Sequence, residues 1–154
     1  MAKEVSSLRP WRERLRRLLP GLRARLSARS GQDASWLALR GEELACRALE
    51  KRGYRILARR ERSRLGEIDI VARDGPALVF VEVKTRRGRR FGKPAEAVDR
   101  RKQRKLVRLA LAYTARRGWS ETPLRFDVVG VDFPANQKPR VEIYRNAFDD
   151  PESL

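Results

Sequence analysis

Two periodicities divide the chain from residue 33 onward. Ile68, Ile70 and Ala72 alternate with Glu67, Asp69 and Val71, and Val79, Val81 and Val83 alternate with Phe80, Glu82 and Lys84. Period 2 over both runs predicts strands, and Asp74–Gly75 between them is a hairpin turn signal. Tyr54 to about Ala58 reads as an earlier strand, and Leu124 to Val131 and Arg140 to Tyr144 as later ones. Helical spacing governs two longer stretches. Asp33 or Ser35 can cap a helix that runs to Arg52 and stops at Gly53, with Leu37, Ala38, Leu44, Ala45, Ala48 and Leu49 on one apolar arc. A second helix from Asp99 to about Arg117, ended by Gly118, gathers Leu106, Leu109, Ala110 and Tyr113 on one side and Arg100, Arg101, Arg104, Lys105 and Arg108 on the other. The order α-β-β-β-α-β with a last edge strand predicts an α/β domain over residues 34–149, a mixed sheet flanked by helices, followed by a short tail at 150–154.

The same alternation sorts the polar residues. Any hairpin register that puts the Ile/Ala row beside the Val row also puts Asp69 on the face of Glu82 and Lys84, and a slip by one would turn the acids into the core. Neighbours across such a pair have Cβ atoms roughly 5 to 8 Å apart, close enough for Asp69 and Glu82 to hold one divalent cation. Lys84 stands two residues beyond Glu82 on that face. Glu42 lies at the edge of the first helix's apolar arc, whereas Glu43 points outward among Arg47 and Glu50. Glu67, one pleat from Asp69, is a further ligand or an ion-pair partner of Lys84 or an arginine. A salt-bridged strand face is the plain alternative for the strand residues, and a solvated helix glutamate near an arginine is the alternative for Glu42.

Composition narrows the chemistry. There are 37 Lys and Arg against 20 Asp and Glu, a net charge of +17 and a pI near 11.3, which makes a polyanion, and nucleic acid first of all, the expected partner. The chain has one cysteine, Cys46, and no histidine. Internal disulfides, zinc sites and histidine-based catalysis are thereby excluded, leaving carboxylates, lysine and a hard metal. No run approaches the roughly 18 apolar residues of a membrane span and no signal-peptide pattern follows Met1, so a cytoplasmic location is expected. Residues 1–33 differ in character: arginines from Arg9 to Arg29 interleave with Trp11 and several leucines, and Pro20–Gly21 interrupt a continuous helix. This basic extension reads as a flexible solvated tail, as an arm ordered on nucleic acid, or as a membrane-surface helix.

Asp69 followed by Glu82-x-Lys84 resembles the PD-(D/E)xK signature of restriction-endonuclease-like nucleases. The longer string, Gly41–Glu42 with Ala45 and Leu49, Gly53–Tyr54, GEIDI, FVEVK, Gly92-x-Pro94, Lys102, Arg125–Phe126–Asp127–Val128–Val129 and Asn146–Ala147–Phe148, resembles the YraN (UPF0102) family of bacterial proteins, predicted relatives of archaeal Holliday-junction resolvases. Two positions depart. Ile68 stands where the nuclease signature often has Pro, and Arg60 stands where the family is expected to carry Asn, so no role is rested on Arg60.

The resemblance implies a restriction-endonuclease-like αβββαβ core and a nuclease dependent on Mg²⁺ or Mn²⁺, acting on structured DNA in repair or recombination. Asp69, Glu82 and Glu42 would hold the metal, with the Val83 carbonyl a further candidate, and Lys84 would stabilise developing charge or orient the attacking water. Two adjacent carboxylates oppose the lowered pKa that a general base would need, which favours the electrostatic role. Resolvase-like enzymes pair to cut two strands, so the resemblance also implies a homodimer. Arg86, Arg87, Arg89 and Arg90 in the loop after Lys84, with Arg101, Lys102 and Lys105 on the second helix, are the candidate phosphate contacts. Lys102 and Gln103 either meet the scissile strand or form a solvated helix end, and Asp127 either approaches the site or pairs internally with an arginine. DNA is favoured over RNA only by the resemblance. A nucleic-acid-binding protein that keeps the fold without cleavage is the competing function, and a basic protein docking on an acidic complex is a third.

Overall fold

The computed structural model of the protein describes residues 20–88 and 98–150. The chain divides into two compact units, with the boundary between Leu37 and Ala38. Helix α1 spans Pro20–Lys51, so it begins at Pro20 and not at Asp33 or Ser35. Proline is favourable at a first helical position, where its missing N–H would be unpaired in any case. The residues between are mostly good helix formers, so Pro20–Gly21 marks a start where the sequence suggested an interruption. Of the basic extension at 1–33, residues 1–19 lie outside the described residues.

In the second unit the order after α1 is β1 (Arg55–Ser63), β2 (Gly66–Asp74), β3 (Ala77–Arg86), α2 (Arg100–Ala115), β4 (Leu124–Asp132) and β5 (Arg140–Phe148). This is the predicted α-β-β-β-α-β order with its last edge strand. The five strands form one sheet in sequence order, antiparallel except for β3 with β4, which are parallel and joined by α2. It is the mixed α/β architecture expected of a restriction-endonuclease-like core. The central strands are the most buried, from Leu78 to Glu82 in β3 and from Phe126 to Asp132 in β4, as suits strands covered on both faces. β1 and β5 run past the expected Ala58 and Tyr144. Arg59–Arg60–Glu61–Arg62 has no apolar alternation, and its strand pairing is imposed by β2.

Each helix covers one face. Ala45, Cys46 and Leu49 of α1 pack with Tyr54, Ile70, Ala72, Val79, Val81, Val129 and Val131. On the other face Leu106, Val107, Leu109, Ala110 and Tyr113 of α2 pack with Ile68, Val71, Leu78, Phe80 and Phe126. Cys46 takes the core place expected of Ala38, which is exposed. Asp99 caps α2, its carboxylate accepting from Lys102 N at 2.8 Å. The hairpin has the predicted turn, with Asp74 opposite Ala77 and Gly75 at φ +56°.

One detail of the hairpin departs from strict alternation. Ile68 belongs to the α2 cluster, whereas Ile70 and Ala72 belong to the α1 cluster. The β2–β3 ladder ends at Ile70 opposite Val81, while β2 stays paired to β1 down to Gly66. Beyond that point β2 turns with β1 and diverges from β3, and the residue at the change of face is Asp69.

Candidate active site

Glu42 reaches the sheet because a glycine precedes it. A Cβ on Gly41 would overlap the Thr85 hydroxyl at the end of β3, so only glycine lets α1 approach this closely. The residue is 8% exposed, and its Oε2 is buried with no hydrogen-bond partner. Its nearest cation is Arg60, with Nε 3.7 Å from that oxygen. Burial pushes the Glu42 carboxyl above its ordinary range, against the opposing pull of Arg60. Glu43, one residue on, is bridged by Arg40 at 2.6 Å and Arg47 at 2.5 Å on the outer side of the helix, as the helical spacing predicted.

Asp69 fills the gap where β2 and β3 part. Its Oδ2 accepts from Val83 N at 2.8 Å, replacing the ladder bond that the divergence removes. Burial first, and then the neighbouring Glu82 charge, push its pKa up to about 6, with the Val83 N–H opposing. Glu67 is bonded by Arg62 Nε at 2.5 Å and approached by Arg60 Nε at 3.4 Å. The Arg62 bond holds its carboxyl below the usual range. Carboxylate oxygens of Glu42, Glu67 and Asp69 all lie within 4.8 Å of one another.

Glu82 adjoins this cluster from β3. It is 7% exposed, and its Oε1 takes Lys84 Nζ at 3.1 Å together with the Lys102 ammonium from α2. Burial works against the Lys102 charge, yet the bond to Glu82 holds its pKa above the ordinary value. The expected residues Glu42, Asp69, Glu82 and Lys84 therefore share one neighbourhood. The tight oxygen cluster takes Glu67 in the place expected of Glu82, whose carboxylate is held by two lysines. Lys102 was expected only as a phosphate contact or a solvated helix end. The second lysine had no signal in hairpin alternation, because it arrives from another element.

Lys102 also joins the site to a basic cleft. Arg101, Lys102, Arg104, Lys105 and Arg108 line an open depression of about 550 Å³ with Asp99 and Leu65. This contains the three helix residues predicted to meet phosphate. Gln103 is occupied locally, donating to the Val98 carbonyl at 2.8 Å. Arg86 closes β3, its carbonyl accepting from Phe133 N at 2.9 Å, and Arg87 is exposed. Arg89 and Arg90 lie outside the described residues, as do Gly92 and Pro94.

A different arrangement surrounds Asp127. It is fully buried and accepts from Tyr54 Oη, Arg125 Nε and Asn146 N, each at 2.9 Å. Arg125 also reaches Asp74 at 2.8 Å. Burial and the bond to Asp127 push Tyr54 up to about 12. Of the two readings of Asp127, the internal ion pair is the one observed, and it ties β4 to β5 where their register shifts between Phe126 and Val128.

The donors of the acidic cluster are all carboxylate oxygens, one of them buried without a hydrogen bond. That set suits a hard divalent cation such as Mg²⁺ or Mn²⁺, which takes oxygen ligands and keeps several waters. No helix among the described residues is long and apolar enough to cross a membrane.

Sequence comparison places these residues in a family. The profile of the uncharacterised protein family UPF0102 matches residues 41–131. A UPF0102 protein of Symbiobacterium thermophilum is 55% identical over 108 residues, which cover 70% of this chain and 92% of that protein. One from Geobacter sulfurreducens is 49% identical over 113 residues, covering 73% and 88% respectively. One from Rhodococcus jostii is 46% identical over 112 residues, covering 73% and 95%. The matched span runs from the glycine that seats Glu42, through both acidic strands and Lys102, to β4 with Asp127, and the chain belongs to the UPF0102 family.

Proposed function

We propose that the protein is a Mg²⁺- or Mn²⁺-dependent nuclease that hydrolyses phosphodiesters in structured DNA, in a cytoplasmic repair or recombination setting. The observation that carries this reading is the buried, hydrogen-bond-free Glu42 oxygen within a cluster that also contains Asp69 and Glu67, next to Glu82 and two lysines. Carboxylates placed beside a basic cleft repel a polyanion unless a cation intervenes, so a pure binding surface has no use for them. Asp69, Glu42 and Glu67 would hold the metal, with Glu82 released from its lysines to join them. When bound, Mg²⁺ supplies Lewis-acid polarisation of a phosphoryl oxygen and a more acidic water.

The chain's own residues supply the rest. The Asp69 carboxylate is fixed by Val83 N–H, and the Gly41 contact fixes Glu42. Lys84 and Lys102 present two ammonium groups that can stabilise negative charge as it develops on the phosphate or leaving oxygen. The cleft along α2 would bind backbone phosphates without reading bases. A homodimer would set two such sites against two strands of a branched substrate.

The test incubates purified protein with labelled linear, flapped and four-way DNA and with structured RNA, in Mg²⁺, Mn²⁺ or EDTA. Cleavage is expected with metal, on branched DNA in preference to the rest. Asp69→Asn and Glu82→Gln should each reduce it at least about a hundredfold, the size of a major transition-state electrostatic loss, while binding stays intact or tightens. Full activity in either variant overturns the assignment. Binding should weaken with a slope of log K against log salt of about −0.9 per phosphate neutralised on duplex DNA, and Arg101→Glu with Lys105→Glu should weaken it alike on every sequence.

The engagement of Glu82 by Lys84 and Lys102 favours a second reading, a nucleic-acid-binding protein that keeps the nuclease fold without cleaving. Salt-dependent binding with no cleavage on any substrate in either metal would select it.

A further inference from the structure

Arg60 lies within β1 with φ at +50°. The other non-glycine residues at positive φ among the described residues are both asparagines, Asn136 and Asn146. Asparagine tolerates the left-handed region because its short side chain bonds locally, whereas a long side chain is strained there. Such strain gathers at functional sites, where surrounding structure holds it in place.

The guanidinium points at the acidic cluster. Its Nε stands 3.4 Å from Glu67 Oε1 and 3.7 Å from Glu42 Oε2. The second distance is too long for a hydrogen bond, so Arg60 offsets the charge of the buried Glu42 oxygen without occupying its lone pairs. Glu67 keeps another cation on its other oxygen, Arg62 at 2.5 Å. The Arg60 side chain is 43% exposed, so the guanidinium can swing into water without crossing the core.

We propose that Arg60 is the exchangeable counter-cation of this pocket: a divalent metal enters by displacing its guanidinium, and Arg60 thereby sets the metal affinity of the site. The inference rests on the reading of Glu42, Glu67 and Asp69 as a metal site, and it adds that loading is an exchange of cations. A pocket whose charge is already offset is held together at low metal concentration, and it binds weakly until metal can compete. Arg62 lacks the contact with Glu42 and does not play this part.

The test is calorimetric titration of the full chain with Mn²⁺ alone, which needs no substrate and no activity. Arg60→Asn and Arg60→Gly both tolerate the positive φ, so either reports on a folded protein. Both should bind Mn²⁺ at least about tenfold tighter than the unaltered chain, because a charge within a few ångströms of the metal has been removed. Arg60→Lys, which keeps the charge, should stay within about threefold of the unaltered chain, and so should Arg62→Gln, whose charge faces only Glu67. Equal or weaker affinity in Arg60→Asn and Arg60→Gly overturns the inference and leaves the metal site standing. So does an equal gain in Arg62→Gln, which would reduce the effect to net charge. Absence of Mn²⁺ binding in every variant overturns the metal reading itself.

Discussion

Two carboxylate centres lie two strands apart, Asp127 on β4 and Asp69 on β2, and they are built on opposite terms. Asp127 is fully buried and receives three donors from three different segments, one of them the Arg125 guanidinium. Asp69 receives one backbone N–H and faces the charges of Glu82 and Glu42. A carboxylate with its donors supplied ties strands together. One gathered with other acids and short of donors costs stability, and such a site is retained when something binds it. Burial separates the two aspartates in degree, Asp127 fully buried and Asp69 half-buried, whereas the supply of donors separates them in kind.

The comparison breaks most visibly at Asp127. Asp127→Ala removes an acceptor shared by Tyr54, Arg125 and Asn146 and leaves the Arg125 charge with Asp74 alone. A loss of about 3–5 kcal/mol is expected, as for one partner deleted from a buried pair, and urea unfolding measures it. A loss below about 1 kcal/mol would show that the network is dispensable.

Asp69→Asn should move stability the other way. The Asp69 pKa rises from 3.8 to about 6 on folding. Its favourable contribution is therefore complete below pH 3.8 and is lost as pH rises through 6, because the folded state holds the proton more tightly than the unfolded one. With EDTA present to keep metal away, Asp69→Asn at pH 7.5 should gain stability on the order of 2–3 kcal/mol, and the gain should vanish toward pH 4. A loss at pH 7.5 would mean that the Val83 N–H outweighs burial and the Glu82 charge.

Gly41→Ala tests how the under-paired centre is held. The added Cβ must push α1 away from Thr85, an overpacking cost of about 1–3 kcal/mol. Glu42 retreats with the helix, so Mn²⁺ affinity should fall as well. Gly31→Ala, with open space around its Cβ position, should do neither.

Much of this was legible in the residues. Period 2 and the Asp74–Gly75 turn located the hairpin, and helical spacing separated Glu42 from Glu43, because each reports a local regularity that the backbone enforces. Three features were not legible, each for a physical reason. The start of α1 at Pro20 was hidden because the same residue breaks a helix interior and favours a helix N-terminus. The change of face at Asp69 was hidden because it arises where the β2–β3 ladder ends, and alternation assumes that the ladder continues. The Lys102 bond to Glu82 and the Arg60 approach to Glu42 join elements distant in sequence, and no spacing encodes them. Arg60 departs from the family pattern in sequence, and its positive φ within β1 is a property of the fold that its side-chain type does not announce.

The finest division lies between the adjacent glutamates. Glu43 is half-buried, pairs with Arg40 and Arg47 on the outer side of the helix and gains from both, whereas Glu42 is buried and its pKa stands raised by that burial. A raised carboxyl pKa means that ionised Glu42 opposes folding at neutral pH, so Glu42→Gln, with EDTA present at pH 7.5, should hold or increase stability. Glu43→Gln removes two helical ion pairs and should lower it slightly. With Mn²⁺ present the order should reverse in size: Glu42→Gln loses most of the metal-induced rise in melting temperature, and Glu43→Gln keeps it. Thermal melts of the two variants with and without Mn²⁺ give four values. Matching behaviour of the pair in both conditions would place Glu42 with the solvated charges of the helix surface and remove it from the site.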